Sequence, residues 1–238
     1  MNNASEQMGT QFGVQLVASL KKDGCVRWPQ LLTRTEILEL ANKTDGATRG
    51  RAGTRCLLNE SWCKQLAHQL KQALINNMFL APDSLAVQCT LFEKTLEHNW
   101  LVPLHQDLSI PVAHRNSAPQ WRAWSQKEGL LFAQPPLSVL ENSLALRLHL
   151  DPCDAEDGAL RIIPGSHLLG IQLNPAPKPG APFQSCSARE GDAWLMRPLV
   201  LHASSKRTTP GRRRVLHFLF GPATLPDGVE WPVWAKTA

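Results

Sequence analysis

Along the first third of the chain the apolar positions recur at helical spacing. FGVQLVASL (12–20) runs on to Asp23-Gly24, a C-terminal stop signal. Thr33 followed three residues later by Glu36 is a capping-box pattern that opens a second helix over TRTEILELANKT (33–44). ESWCKQLAHQLKQALI (60–75) predicts a third, bounded beyond by Pro82. From about residue 85 the period shortens to that of strands. LAVQCTLFE, LSIPVA, SLALRLHL, GALRII, DAWLM and RRRVLHFLF are short strand candidates separated by Asp-Gly, Pro-Gly and Gly-Asp punctuation. Strands in series without intervening helices predict an antiparallel sandwich or jelly roll, mainly β with flanking helices. The 238 residues are read as a single domain, with a mostly helical region over 1–82 and a β core over 85–220.

One stretch breaks this rhythm. Residues 114–142 are long, contain prolines and carry Trp121 and Trp124. A connection of that length is either a lid or binding loop, or a surface excursion packed by its own tryptophans.

Composition narrows the function classes only a little. The formal charge is +5, with 25 Lys and Arg against 20 Asp and Glu, and the basic residues are scattered except in KRTTPGRRR (206–214). No basic stripe with interleaved aromatics is present, so a nucleic-acid partner is not expected. The chain has no tyrosine, which removes that residue as ligand or acid-base group. Its six cysteines form no C-x-x-C pair and read as reduced thiols. The polar N-terminal residues precede the short apolar stretch and the lysines follow it, the reverse of a secretory signal. No run is long enough to span a bilayer, and the expectation is a cytoplasmic protein without a membrane partner. Oligomeric state is not legible.

The chemistry begins in VPLHQDLSIPVA (102–113), where His105 and Asp107 interrupt an apolar run. Residues i and i+2 on a strand share a face, so these side chains converge. Two imidazoles and one carboxylate form the three-ligand face that holds non-haem Fe(II), and His202 lies far along the chain in LVLHASS. In GRRRVLHF the alternation sends Arg213, Val215 and His217 to one face and Arg212 and Arg214 to the other, where those two are expected to be solvated. An inward arginine can hold a carboxylate bidentately.

HQD, then HLDPCDAEDGALRIIPGSHLLG, then GDAWLMRPLVLHASS, then an arginine eleven residues beyond the histidine together resemble the phytanoyl-CoA dioxygenase family of Fe(II)/2-oxoglutarate oxygenases. The likeness covers about residues 85–220, and DGCVRWPQLLTRTEI is similar to that family's opening. It implies a double-stranded β-helix, a jelly roll with added helices. It also implies that His105, Asp107 and His202 are the iron ligands and that Arg213 receives the 2-oxoglutarate C5 carboxylate. Ser204, Thr90 and Lys94 become candidates for further contacts to the cosubstrate.

Other residues are candidates for the substrate side. Trp100 and Gln106 line the pocket or simply pack, and Trp121 and Trp124 belong to the segment expected to select the substrate. A second His-x-Asp, His149-Leu150-Asp151, shares a face with Arg147 in SLALRLHLD. It leaves too few strands before His202 to be the metal pair, although Arg147 and His149 are retained as cavity candidates.

The implied activity is hydroxylation of an unactivated C–H bond in a small-molecule metabolite, using Fe(II), 2-oxoglutarate and O2 and releasing succinate and CO2. The rival is a cupin-like jelly-roll module that binds metal without oxidising anything. Arg213 counts against it, since a metal-only site needs no carboxylate clamp.

Overall fold

The N-terminal helices form where the sequence places them. In the computed structural model, which describes residues 2–48, 51–176 and 180–237 (of 2–12 and 237 the backbone only), α1 spans Asn2–Asp23 and stops at Gly24 in a left-handed conformation (φ +77°). β1 follows at Cys25–Trp28 and α2 at Arg34–Thr44. The capping box is made: Thr33 Oγ1 accepts from the Glu36 amide, and the Glu36 carboxylate accepts from the Thr33 amide at 2.8 Å. β2 (Gly53–Thr54) and α3 (Ser61–Asn76) complete this region. α3 buries Leu66, Leu70 and Leu74, one stripe at i, i+4 and i+8. Each such leucine contributes about 2 kcal/mol of burial.

The strand series then runs β3 (Leu85–Lys94), β4 (Val102–His105), β5 (Ile110–Pro111), β6 (Arg122–Lys127) and β7 (Leu130–Gln134). After the short α4 (Leu137–Glu141) come β8 (Leu144–His149), β9 (Leu160–Ile162), β10 (Gln184–Cys186), β11 (Ala193–Met196), β12 (His202–Ser204) and β13 (Arg213–Gly221). They assemble into a six-stranded sheet ordered β1-β11-β8-β13-β3-β2, a four-stranded sheet β10-β9-β12-β4 and a three-stranded sheet β5-β7-β6. All pairings between these strands are antiparallel. This is the double-stranded β-helix.

Both faces of the large sheet are covered. Leu146, Leu148, Leu216 and Phe218 point outward into a core shared with α2 and α3, and every residue of β13 is buried. A second core, containing Ile110, Trp121, Ala133 and Leu219, joins the large sheet to the three-stranded one.

Two expectations need correction. Residues 114–142 are not an irregular loop, since they contain the β6–β7 hairpin and α4. Arg214 is not solvated: it is 4% exposed and grips Asp151 with Nε and Nη2 at 2.9 and 2.8 Å, while Nη1 donates to the Ala41 carbonyl. The helical layer over the outer face makes the usual rule that polar side chains face water fail here. The N-terminal third is mostly helical and also contributes β1 and β2, which form the two edges of the large sheet. Among the described residues no helix is long and apolar enough to cross a membrane, and all six cysteines are unpaired.

Candidate active site

His105 ends β4 and His202 begins β12, and the two are directly paired in the four-stranded sheet. Their rings stand 4.1 Å apart between centroids. The chain leaves β4 with the Asp107 amide bonded to the Pro198 carbonyl at 2.9 Å, which returns the Asp107 side chain to the same site. One carboxylate oxygen lies 3.7 Å from His105 Nε2, and the other lies 3.7 Å from His202 Nε2. Ligating atoms of the three residues all fall within 4.8 Å of one another.

Each imidazole is oriented by the carbonyl two residues before it. His105 Nδ1 faces the Pro103 carbonyl and His202 Nδ1 the Val200 carbonyl, both at 2.9 Å. A carbonyl only accepts, so each Nδ1 carries a proton and each Nε2 points toward Asp107. The charge states of the two imidazoles differ. Burial pushes the His202 pKa down to about 4, against the opposing pull of Asp107. For His105 burial is outweighed by the Asp107 carboxylate, and its pKa rises. Burial resists ionisation of Asp107, but the surrounding imidazoles, His202 foremost, hold it far below the usual carboxylate range. The result is a charged carboxylate between two Nε2 atoms, of which His105 Nε2 gives up its proton when a metal binds, a donor set suited to a divalent transition metal.

The triad opens into a cavity of about 340 Å3. Arg213 lies on the inner face of the large sheet, paired across to Lys94 on β3. Its guanidinium is 2% exposed, its Nε has no hydrogen-bond partner, and no carboxylate of the described residues makes an ion pair with it. Burial lowers its pKa while the Cys153 thiol beside it works the other way, yet a guanidinium stays charged. A buried, unpaired cation is costly unless an anion completes it. Metal donors and orphaned arginine share one cavity, and that combination fits Fe(II) with a 2-oxo diacid.

The remaining expected residues divide. Lys94 Nζ donates to Ser204 Oγ at 3.0 Å and to the Ser205 carbonyl at 2.7 Å, and burial brings its pKa to about 7. Thr90 lines the cavity and accepts from Gln88 Nε2 at 2.7 Å. Trp100 lines it too, with its ring 5.0 Å from Lys94 Nζ. Gln106 borders the cavity, but its amide is used structurally, donating to the Gly170 and Leu199 carbonyls and accepting from the Gln172 amide. Arg147 lines the floor at 8% exposure.

Trp121, Trp124 and His149 do not line the cavity. Trp121 is core, its indole N–H spent on Asp227, and Trp124 stacks beside it under Arg115. His149 is 3% exposed, and burial together with the neighbouring Arg147 and Arg213 charges pushes its pKa well down. Asp151, its partner in the second His-x-Asp, is committed to Arg214.

Two further cavity residues carry no signal in their local sequence. His217 shares the Arg213 face of β13; its Nδ1 lies 3.1 Å from Arg147 Nη1 and its Nε2 3.9 Å from Asp107 Oδ2. Lys127, at the β6–β7 turn, lies with its Nζ 4.9 Å from the centre of the Phe132 ring, and both residues line the cavity.

Comparison with known proteins agrees with this geometry. The phytanoyl-CoA dioxygenase (PhyH) family model matches residues 20–215. The chain belongs to the phytanoyl-CoA dioxygenase family of Fe(II)/2-oxoglutarate-dependent oxygenases. Among characterised sequences, dioxygenase cnsJ of Penicillium expansum is 38% identical over 80 residues, which is 34% of this chain and 24% of that protein. The fold is shared with the non-heme alpha ketoglutarate dependent epimerase SnoN from nogalamycin biosynthesis, at TM-score 0.65 and 16% identity over 90% of this chain and 84% of that one. The carbocyclase SnoK from the same biosynthesis gives TM-score 0.63 and 14% identity over 90% and 88% of the two chains. HygX from Streptomyces hygroscopicus, solved with nickel and 2-oxoglutarate, gives 0.60 and 16% over 87% and 86%.

Proposed function

We propose that this protein binds Fe(II) through His105, Asp107 and His202 and 2-oxoglutarate through Arg213, and that it hydroxylates a C–H bond of a small molecule. The observation that carries the reading is the buried Arg213 guanidinium with no protein carboxylate, in the same cavity as the triad. A metal-storage or purely structural cupin site has no use for that cation. When bound, Fe(II) and 2-oxoglutarate supply the oxidising power, with O2 consumed and succinate and CO2 released.

The chain's own residues do the rest. His105 and His202 present Nε2 lone pairs whose direction is fixed by their carbonyl-bound Nδ1 protons. Asp107 contributes the anionic donor. Arg213 holds the far carboxylate of the diacid, assisted by Lys94 and Ser204, which are already bonded to each other. Phe132, Leu108 and Ile110 supply an apolar wall that limits water at the reacting carbon.

Among the fold relatives one is called an epimerase and another a carbocyclase, so the same donor set serves outcomes other than oxygen insertion. The testing experiment is loading with Fe(II) and 2-oxoglutarate without oxygen, followed by admission of air and measurement of succinate. Wild type releases succinate; Asp107→Ala and Arg213→Ala do not. Wild type that neither binds the keto acid nor releases succinate defeats the proposal. Mass analysis of the converted substrate separates a gain of one oxygen atom from an isomerisation or a loss of two hydrogens.

A further inference from the structure

The charges that line the cavity do not balance. Asp107 is its sole carboxylate among the described residues, against the cations Arg55, Lys94, Lys127, Arg147 and Arg213. Arg55 is answered by Glu128, whose carboxylate accepts from Arg55 Nη1 at 2.9 Å and from Thr54 Oγ1 at 2.9 Å. Lys94 is held by a hydroxyl and a carbonyl, and burial leaves it only partly charged near neutrality.

On the functional reading given above, on which this inference rests, the metal's two charges are met by Asp107 and one carboxylate of the diacid. Arg213 takes the other carboxylate. Arg147 and Lys127 are then left with no anion: neither makes an ion pair with any described carboxylate. Arg147, 92% buried at the cavity floor, donates only to the neutral Nδ1 of His217. Lys127 stands on the solvent side, partly buried. Its position is built rather than incidental. The turn that carries it is strapped to β2 through Glu128, which sits at φ +52° and uses both carboxylate oxygens on Thr54 and Arg55.

We propose that the substrate is itself an anion, a small carboxylate- or phosphate-bearing molecule whose charged group is received by Lys127, with Arg147 supplying positive potential from the floor and Phe132, Leu108 and Ile110 flanking its carbon portion. The cavity volume of about 340 Å3 lies near the lower end of the roughly 300–1,000 Å3 of small-molecule sites and is shared with the cosubstrate. The part of the substrate that enters is therefore small, and one well-placed charge accounts for much of its recognition.

The test uses the protein loaded anaerobically with Fe(II) and 2-oxoglutarate and follows the visible band of the iron–keto-acid chelate. Octanoate, octyl phosphate, octanamide and octanol are titrated as probes of equal chain length. The expected result is perturbation of the band by octanoate or octyl phosphate at concentrations at least tenfold below those of the neutral probes, with the better of the two anions identifying the headgroup. In Lys127→Met, a partly exposed and structurally mild change, that preference falls below threefold while 2-oxoglutarate affinity is retained. Arg147→Gln weakens binding of the anionic probes as well, and an accompanying urea titration separates this from unfolding. Equal affinity for charged and neutral probes in wild type overturns the proposal, as does an unaltered preference in Lys127→Met. No band in folded wild type overturns the underlying functional reading instead, so the two failures are distinguishable.

Discussion

Arg147 Nη1 lies 3.1 Å from His217 Nδ1, and this one contact fixes the imidazole's tautomer. A guanidinium only donates, so Nδ1 must accept and Nε2 must carry the proton. Nε2 lies 3.9 Å from Asp107 Oδ2, too far for a hydrogen bond. A protonated Nε2 cannot serve as a fourth ligand, and His217 is expected to support the Asp107 carboxylate electrostatically rather than through a direct hydrogen bond. Replacing such supporting partners typically costs about 10–100-fold in metal affinity. His217→Phe is expected to weaken Fe(II) binding by roughly 10-fold, measured by anaerobic titration, with the far-ultraviolet circular dichroism unchanged. An unchanged Fe(II) affinity would exclude this role.

Three buried imidazoles, His149, His202 and His217, weaken the metal-free protein in acid. His202 and His217 have folded pKa values of about 4 and about 3, both below the ordinary 6.5 and both lowered chiefly by burial. Between those values and 6.5 the unfolded chain binds protons that the folded chain refuses, so stability is lost as the pH falls through that window. Each histidine contributes a loss of about 1.4 kcal/mol per pH unit inside its own window. Urea titrations at pH 7.5, 6 and 5 should show the midpoint falling with pH, and His217→Phe should flatten that slope. Parallel slopes in the two proteins would contradict this assignment.

Arg213→Ala should weaken 2-oxoglutarate binding by roughly 30-fold or more, corresponding to about 2–5 kcal/mol for truncating one partner of a buried charge pair. Arg213→Lys keeps the charge but loses the fork and is expected to fall between the two. Calorimetry with Fe(II)-loaded protein measures both. Similar affinity in wild type and Arg213→Ala would place the diacid elsewhere.

The second His-x-Asp pair offers a control. Asp151 holds the buried Arg214 with two oxygens. Asp151→Ala strands that guanidinium and should destabilise the fold by about 3–5 kcal/mol. Fe(II) affinity, measured under conditions where the variant is folded, should remain that of wild type. Loss of Fe(II) binding in a folded Asp151→Ala protein would reassign the metal.

Gly158 lies directly beside the Lys94–Ser205 contact at the edge of the cavity. It sits at φ +70°, and a Cβ there would lie 2.5 Å from the Ser205 carbonyl and 3.3 Å from Lys94 Nζ. Gly158→Ala is expected to destabilise by more than about 1 kcal/mol, because neither the backbone angle nor the space suits alanine. It should also raise the 2-oxoglutarate dissociation constant, since the Lys94 to Ser205 contact must shift. Thermal denaturation and calorimetry read the two effects separately.

The parts of the molecule readable from the chain are those set by local rules. The change of period near residue 85, the capping box at Thr33 and the third helix all reflect local rules, and each was legible. The triad was legible because His105 and Asp107 carry a recognisable i, i+2 spacing and His202 and Arg213 a recognisable order. Arg214 was misread because β13 is buried on both faces, which alternation alone cannot reveal. Of the two readings of residues 114–142, packing by its own tryptophans fits Trp121 and Trp124, because the segment forms a hairpin that packs into a core. His217 and Lys127 lay outside reach for a related reason. Their roles depend on the register of β13 against β8 and on where the β6–β7 turn lands, and neither is encoded in their own neighbourhoods.

The central claim is that His105, Asp107 and His202 together with Arg213 form one site for Fe(II) and 2-oxoglutarate. The most direct measurement is the visible absorption of the anaerobic protein as both are added. A band should appear only when both are present, vanish in His202→Ala and require far more 2-oxoglutarate in Arg213→Ala. A folded wild-type protein without that band, or a His202→Ala protein that retains it undiminished, would contradict the account.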